Sequence, residues 1–362
     1  MTSNKILLYI CTIRAGGAAR AMVNLANYLH QFGNEVIFVT NFPWEVEYPL
    51  NKDIKRFSLE KTESTQSRLL KNYTRIRALR RLIKQHAPQT CVSFMIENNF
   101  RLTLASLGLK TRTIVSVRND PKKEYRGKLG HLIGKYLFRL VDGIVFQTPE
   151  AQAWFPKSIQ NKSTIIANLV AEKFYQVKRS QRPQHIVSCG RLHRQKNHTL
   201  LIRAFAKLAD KYPQENLLIY GKGDLESSLN QLIEQLGLQK RVFLMGQSTD
   251  VAKVLSQAKL FVLSSDYEGM PNALMEALVA GVPSISTDCP CGGPRELIQH
   301  GKNGLLVPCN DENALVRAMD QLLSNPQLAA KMGENARHGA QQFKPEIIVK
   351  QWEEFLQKDT IC

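Results

Sequence analysis

Short apolar runs of strand length alternate along this chain with longer segments whose apolar positions recur every three to four residues. Ile6-Leu7-Leu8-Tyr9-Ile10 predicts a buried strand, a glycine-containing turn follows at residues 14–18, and residues 21–29 predict a helix. Gly33 closes that helix and residues 35–39 predict the next strand, so the chain opens with a βαβ unit and therefore a parallel sheet. Further strands are expected at 91–95, 113–117 and 143–148, then a helix near 150–154 and an extended run at 164–168.

A polar, turn-rich stretch at 178–184 breaks the pattern, which then resumes. Strands are expected at 185–189, 217–220, 241–246 and 260–263. Helices are expected at 199–212, 225–236 and 251–258, from Pro271 onward, and at 312–323. The fold class is therefore α/β with two doubly wound parallel-sheet domains: residues 1–177, a linker at 178–184, residues 185–345, and a closing segment at 346–362.

Two helical segments are strongly basic. Over 68–84, Leu69, Tyr73, Ile76, Leu79 and Ile83 repeat at helical spacing among seven Lys and Arg; over 122–140, Leu129, Leu132, Ile133, Tyr136 and Leu140 do so among six. Either alone reads as a core helix with a solvated face. Charge changes that picture: residues 1–180 hold 29 Lys+Arg against 12 Asp+Glu, and 181–362 hold 20 against 19, so nearly all of the net +18 lies in the first half. Such asymmetry predicts that the first half meets a polyanion, and we expect docking on an anionic membrane surface. Nucleic acid is not expected, because stacking aromatics and a recognisable nucleic-acid module are missing.

With 43% hydrophobic and 22% charged residues the composition is that of a soluble or peripheral globular protein. The run Ile6 to Ile10 is too short for a signal-peptide core, and no apolar run approaches the ~20 residues that span a bilayer. The seven cysteines are scattered, and the close pair Cys289 and Cys291 has no second cluster to complete a zinc site, so reduced thiols and no metal are expected.

Candidate chemistry gathers at predicted strand ends. In 266–278 a strand leads through a short loop into a helix, with Glu268 just before the helix start and Glu276 eight residues later. A helix N-terminus attracts phosphate, and carboxylates beside it accept hydrogen bonds from sugar hydroxyls, so this pattern suits a nucleotide sugar. A plain loop residue and a solvated helix position are the alternative readings. Gly190 with Arg191 and Lys196 forms a second strand end, readable as a diphosphate site or a basic surface loop. Gly16 and Gly17 permit close backbone approach or simply a tight turn. Arg118 and Asn119 lie at a strand's carboxyl end, in a cleft position or a capping turn.

As an ordered set, Gly190-Arg191 with Lys196-Asn197, Glu268-Gly269-Met270-Pro271-Asn272 with Glu276, and the segment 301–308 resemble the family-four retaining glycosyltransferases of the GT-B fold. The likeness covers both halves: Gly16-Gly17 matches the glycine-rich first loop, and Trp352 and Phe355 fall where a terminal helix returns to the N-terminal domain. The resemblance implies that Glu268 holds donor-sugar hydroxyls and Glu276 the ribose. It implies that Arg191 and Lys196 neutralise the diphosphate with backbone N–H groups near Asn272, Ala273 and Leu274, beside Gly269 and Met270, and that backbone near Gly246 meets the base. A UDP-sugar donor, transfer without a metal or other cofactor, and a cytoplasmic enzyme peripheral to the inner membrane face are the expectations.

Two positions depart from the family pattern. Ala19 stands where many relatives carry Glu, and Arg118 stands near a position often held by His, so Arg118 is expected to meet an acceptor phosphate. Asp288-Cys289-Pro290 followed by Gly293-Pro294-Arg295-Glu296 is similar to bacterial members that extend lipid-linked glycans for capsule, lipopolysaccharide or protein glycosylation. This points to a polyprenyl-diphosphate-linked acceptor. A nucleotide-sugar epimerase of the same fold is the alternative enzyme, and a polyanion-binding protein the non-enzymatic one.

Overall fold

The computed structural model describes residues 4–14, 16–44, 47–62, 67–180 and 185–357. Residues 181–184 of the expected linker lie outside them, as do Ala15, Cys362 and the side chains of Lys128 and Leu129. Two compact units form: the chain up to Leu169 together with the segment from Pro345, and the chain Val170–Lys344. The junction falls ahead of the polar stretch at 178–184 because the residues after Leu169 bond into the second unit. Val170 N–H donates to Phe343 O at 3.0 Å and Ser180 N–H to Ser256 O at 2.8 Å.

In the first unit, seven strands form one parallel sheet in the order β3-β2-β1-β4-β5-β6-β7. They are β1 (Lys5–Tyr9), β2 (Glu35–Thr40), β3 (Lys55–Ser58), β4 (Thr90–Phe94), β5 (Arg112–Ser116), β6 (Gly143–Phe146) and β7 (Ser163–Ile165). The two-residue strand period sends Ile6 and Leu8 to one face, where they meet Met22 and Leu25 of the helix Gly17–Gln31 and Trp352 of the helix Pro345–Gln357. Leu7 and Tyr9 point the other way, against Leu79 and Ile83 of the helix Arg68–His86 and Leu102 of the helix Ile96–Ser106. Both faces of the sheet are thus covered, as a parallel sheet requires.

The second unit repeats the plan with six parallel strands in the order β10-β9-β8-β11-β12-β13. These are β8 (His185–Cys189), β9 (Asn216–Tyr220), β10 (Val242–Leu244), β11 (Ala258–Leu263), β12 (Ser284–Thr287) and β13 (Leu305–Val307). The chain winds outward from β8 in one direction and then crosses to β11 on its other side. Strand order reverses between these two, which opens a crevice at their carboxyl ends.

Some elements differ from the sequence pattern. The helix expected over 122–140 is instead a turn of helix at Pro121–Glu124, a helix at Gly127–Lys135 and a 3-10 turn at Leu137–Leu140. Gly127 adopts φ +70°, and Tyr125 is buried against Phe138, Trp154 and Phe155, so the chain bends to place that ring. Pro271 caps the helix Asn272–Val279 rather than starting it, and the helix expected to reach 212 ends at Ala206.

Trp352 is 2% exposed, with its ring 5.9 Å from that of Phe94. Trp352→Ala is expected to destabilise the first unit by about 3–5 kcal/mol, read as a lower denaturant midpoint for its unfolding; an unchanged midpoint would contradict this packing.

Candidate active site

The crevice between β8 and β11 is built from two loops stitched together. After β8, Gly190 stacks on Gly221, where a Cβ would lie 1.9 Å from the Gly190 carbonyl oxygen, so only glycine fits. The chain then makes a 3-10 turn at Arg194–Lys196 and enters the helix His198–Ala206. Asn197, at φ +44°, caps that helix by accepting from Leu200 N–H at 3.2 Å. Its Nδ2 donates to Asp266 Oδ1 and Asn310 Oδ1, each at 2.8 Å. Asp266 N–H donates to Gln195 O at 2.8 Å, and Ser264 Oγ to Lys196 O at 3.0 Å. The β8 and β11 loops therefore hold each other in register.

Glu268 is the focus of this stitching. Its side chain is 8% exposed, and its carboxylate pairs with Lys196 Nζ and accepts from Ser265 Oγ at 2.6 Å and, more weakly, from Gln195 Nε2 at 3.4 Å. Gln195 Nε2 also donates to Tyr267 O at 2.9 Å. Behind the carboxylate, Glu268 N–H donates to Pro290 O at 2.8 Å, and a Cβ on Gly293 would lie 1.6 Å from Gly269 O. Gly293 is what lets the 290–293 loop back the Glu268–Gly269 backbone. Glu268 is thus no plain loop residue.

Met270 and Leu274 are buried, and Leu274 begins the buried face of the helix Asn272–Val279. An α-helix leaves the N–H groups of its first turn without intrahelical acceptors, here those around Asn272, Ala273 and Leu274. Glu276 is 5% exposed, so it is not the solvated position that helix spacing alone allows. Arg191 is exposed at the end of β8, whereas Lys196 is mostly covered. Gly246, at φ +66°, follows β10 and accepts from Gly221 N–H at 2.8 Å. Lys196 and Glu268 are brought into contact; Arg191, Gly246 and Glu276 occupy the same unit.

Sequence reasoning missed His198, Gln195 and Ser265. His198 is 3% exposed at the start of its helix, and its pKa is lowered to about 4 by burial first and the Lys196 charge second, with the Gly190 and Arg191 carbonyls pulling the other way. Ser265 was legible only through its place two residues past β11. Cys289, Cys291 and Cys309 are not disulfide-bonded, and burial, then the neighbouring Glu268 and Cys309 charges, push the Cys289 thiol up.

In the first unit, Gly16 caps the helix Gly17–Gln31 at φ +102°, with open space where its Cβ would be. Ala19 is buried in the core beneath it. Arg118 is 9% exposed: its guanidinium sits 4.2 Å over the Phe94 ring, and it donates to Asn168 Oδ1 and to Ser116 Oγ at 3.4 Å. Burial lowers its pKa to about 9. Beside it, Asn119 Oδ1 is buried without a hydrogen-bond partner, and Asp120 caps the next turn at Lys122 N–H, 3.0 Å away. Burial, then Asp120, raise Glu124 to about 7.

Residues 171–339 match the family model described as glycosyl transferases group 1. The chain is 31% identical over 289 residues to a glycosyltransferase of Methanocaldococcus jannaschii, MJ1059, covering 67% of this chain and 71% of that one. It is 27% identical over 353 residues to the Campylobacter jejuni GalNAc-alpha-(1->4)-GalNAc-alpha-(1->3)-diNAcBac-PP-undecaprenol alpha-1,4-N-acetyl-D-galactosaminyltransferase, covering 96% and 97%. A 37% identical stretch of 220 residues spans 23% of the Streptomyces coelicolor exopolysaccharide phosphotransferase SCO2592. Among solved structures, Anabaena Alr3699/HepE in complex with UDP-glucose superposes with a TM-score of 0.81 at 19% identity, over 98% of this chain and 99% of that one.

His198 generates a pH prediction. The unfolded side chain titrates near 6.5 and the folded one near 4, so the folded state excludes a proton between these values. Stability is expected to fall by up to about 3 kcal/mol as pH drops from above 6.5 towards 4, and His198→Gln to remove that component. Denaturation of both proteins across this range checks it; parallel losses in wild type and variant would contradict it.

Proposed function

The chain belongs to the group 1 glycosyl transferases, and from that premise we propose that it transfers a sugar, with retention, from a UDP-sugar to a polyprenyl-diphosphate-linked glycan. The observation that carries this reading is the Lys196–Glu268 pair, held at the strand-order reversal of the second unit just ahead of the helix Asn272–Val279. A cation, a carboxylate and a helix N-terminus at one strand end match the diphosphate and hydroxyls of a nucleotide sugar.

In this reading Lys196 swings from Glu268 to the diphosphate, and Arg191, exposed beside it, supplies the second cation. The first-turn N–H groups around Asn272, Ala273 and Leu274 face the same phosphates, next to Gly269 and Met270. Glu268 is kept in place by Ser265 and Gln195 and accepts from hydroxyls of the donor sugar. Glu276 takes the ribose, and the backbone at Gly246 the base. As the sugar leaves, charge grows on the diphosphate, and these preorganised groups stabilise it without a metal ion. The UDP-glucose complex of the structurally similar Anabaena protein supports the choice of donor.

On the acceptor side we assign Arg118 and Asn119 of the first unit, while Gly16, with open space where its Cβ would lie, and Gly17 are assigned to donor binding. The undecaprenol-linked substrate in the name of the Campylobacter relative supports a lipid-linked acceptor. Such an acceptor places the enzyme at the inner membrane face, and the basic first half of the chain suits that surface.

Purified protein is expected to transfer sugar from one member of a UDP-sugar panel to a polyprenyl-linked acceptor, with the rate unchanged by EDTA and the product anomer matching the donor by NMR. Lys196→Ala and Glu268→Ala should each lower kcat/KM by about a hundredfold or more. Chelator-sensitive transfer, an inverted anomer, or full activity in both variants would each contradict a part of this reading.

A further inference from the structure

Six large apolar side chains of the first unit stand out in solvent on the two basic segments. Leu69 is 83% exposed, Leu70 46% and Tyr73 56%, on the first turns of the helix Arg68–His86. Leu132 is 54% exposed, Tyr136 55% and Leu140 56%, spaced four residues apart along the helix Gly127–Lys135 and the turn after it. The apolar stripe that the sequence pattern assigns to the core therefore divides. Leu79 and Ile83 are buried, as are Phe138 and Tyr125, while these six face outward. Core packing is satisfied without them.

The two sets belong to one layer. The helix Ile96–Ser106 packs against both the helix Arg68–His86 and the turn Leu137–Leu140. That layer covers the sheet face opposite the helices Gly17–Gln31 and Pro345–Gln357. Each set pairs a tyrosine with an arginine: the Arg77 guanidinium lies 5.6 Å over Tyr73 and the Arg139 guanidinium 5.2 Å over Tyr136. Neither helix nor the following turn contains an Asp or Glu.

We propose that these two Leu/Tyr stripes insert into the interface of an anionic phospholipid surface while the arginines and lysines around them meet its headgroups. Aliphatic tips, amphipathic tyrosine rings and a surround rich in Lys and Arg, of which Arg68 pairs with Glu97 and Arg75 with Glu60, match the layered chemistry of that interface, apolar below and anionic above. The inference rests on the membrane part of the proposed function and adds that apolar insertion, beyond charge alone, holds the protein there.

The test is co-sedimentation of the full chain with phosphatidylglycerol-containing vesicles at 0.1 and 1 M NaCl, for wild type, Leu69→Ser/Tyr73→Ser and Leu132→Ser/Tyr136→Ser. Each double variant is expected to partition about tenfold less, and wild type to keep measurable binding at 1 M NaCl where the variants do not. Unfolding midpoints and transfer to a water-soluble acceptor should match wild type, which separates lost docking from lost folding and from failure of the transferase reading. Variants that bind as wild type does, or wild-type binding lost entirely at 1 M NaCl, would overturn the proposal. So would substitutions that change oligomeric state in sedimentation while leaving vesicle binding intact, since the stripes would then join copies of the chain.

Discussion

The site in the second unit depends on one constraint: two charged side chains, Lys196 and Glu268, must be held together where neither reaches bulk water freely. Their side chains are 15% and 8% exposed, and burying either alone would be costly. Ser265 Oγ and Gln195 Nε2 share the negative charge of Glu268, so the carboxylate would keep hydrogen bonds if Lys196 turned to another anion, as proposed. In the proposed reading an arriving diphosphate would exchange one partner of Lys196 for another instead of creating a new buried charge. The Lys196–Glu268 pair itself therefore adds no net charge to the buried loops.

The rest of the unit serves to place this pair. Strand order reverses between β8 and β11, so their loops emerge side by side, and Asn197, Asp266 and Asn310 tie them together. Backbone approaches that no side chain could fill, Gly221 under Gly190 and Gly293 under Gly269, let the loops lie against their neighbours. His198 stays neutral beneath the Gly190–Arg191 backbone because burial and the adjacent Lys196 both oppose a second cation. Arg118 in the first unit is held differently: it rests on the Phe94 ring and the Asn168 amide, with no carboxylate partner among the described residues.

Much of this was legible in the sequence. Apolar runs such as residues 6–10 and 260–263 announce buried parallel strands, and the loops holding Gly190, Lys196 and Glu268 announce themselves by glycine and charge at strand ends. The helix Ile96–Ser106 was not legible, because its buried face carries Asn98, Asn99 and Arg101, which hide the apolar period. Neither was the break at Gly127, set by the burial of Tyr125 among rings distant in sequence. Nor could spacing tell which half of each basic stripe turns outward: Leu79 and Leu69 look alike until the sheet fixes which turns it covers. Ser265 and Gln195 escaped notice because a hydroxyl and an amide gain meaning only from the carboxylate they touch.

A crystal structure of the protein with UDP bound decides whether the β8 and β11 loops of the second unit form the donor site. Density for the diphosphate is expected between Lys196 and the N-terminus of the helix Asn272–Val279, with the ribose on Glu276 and Glu268 released from Lys196. A nucleotide bound elsewhere, with the Lys196–Glu268 pair intact, would contradict it.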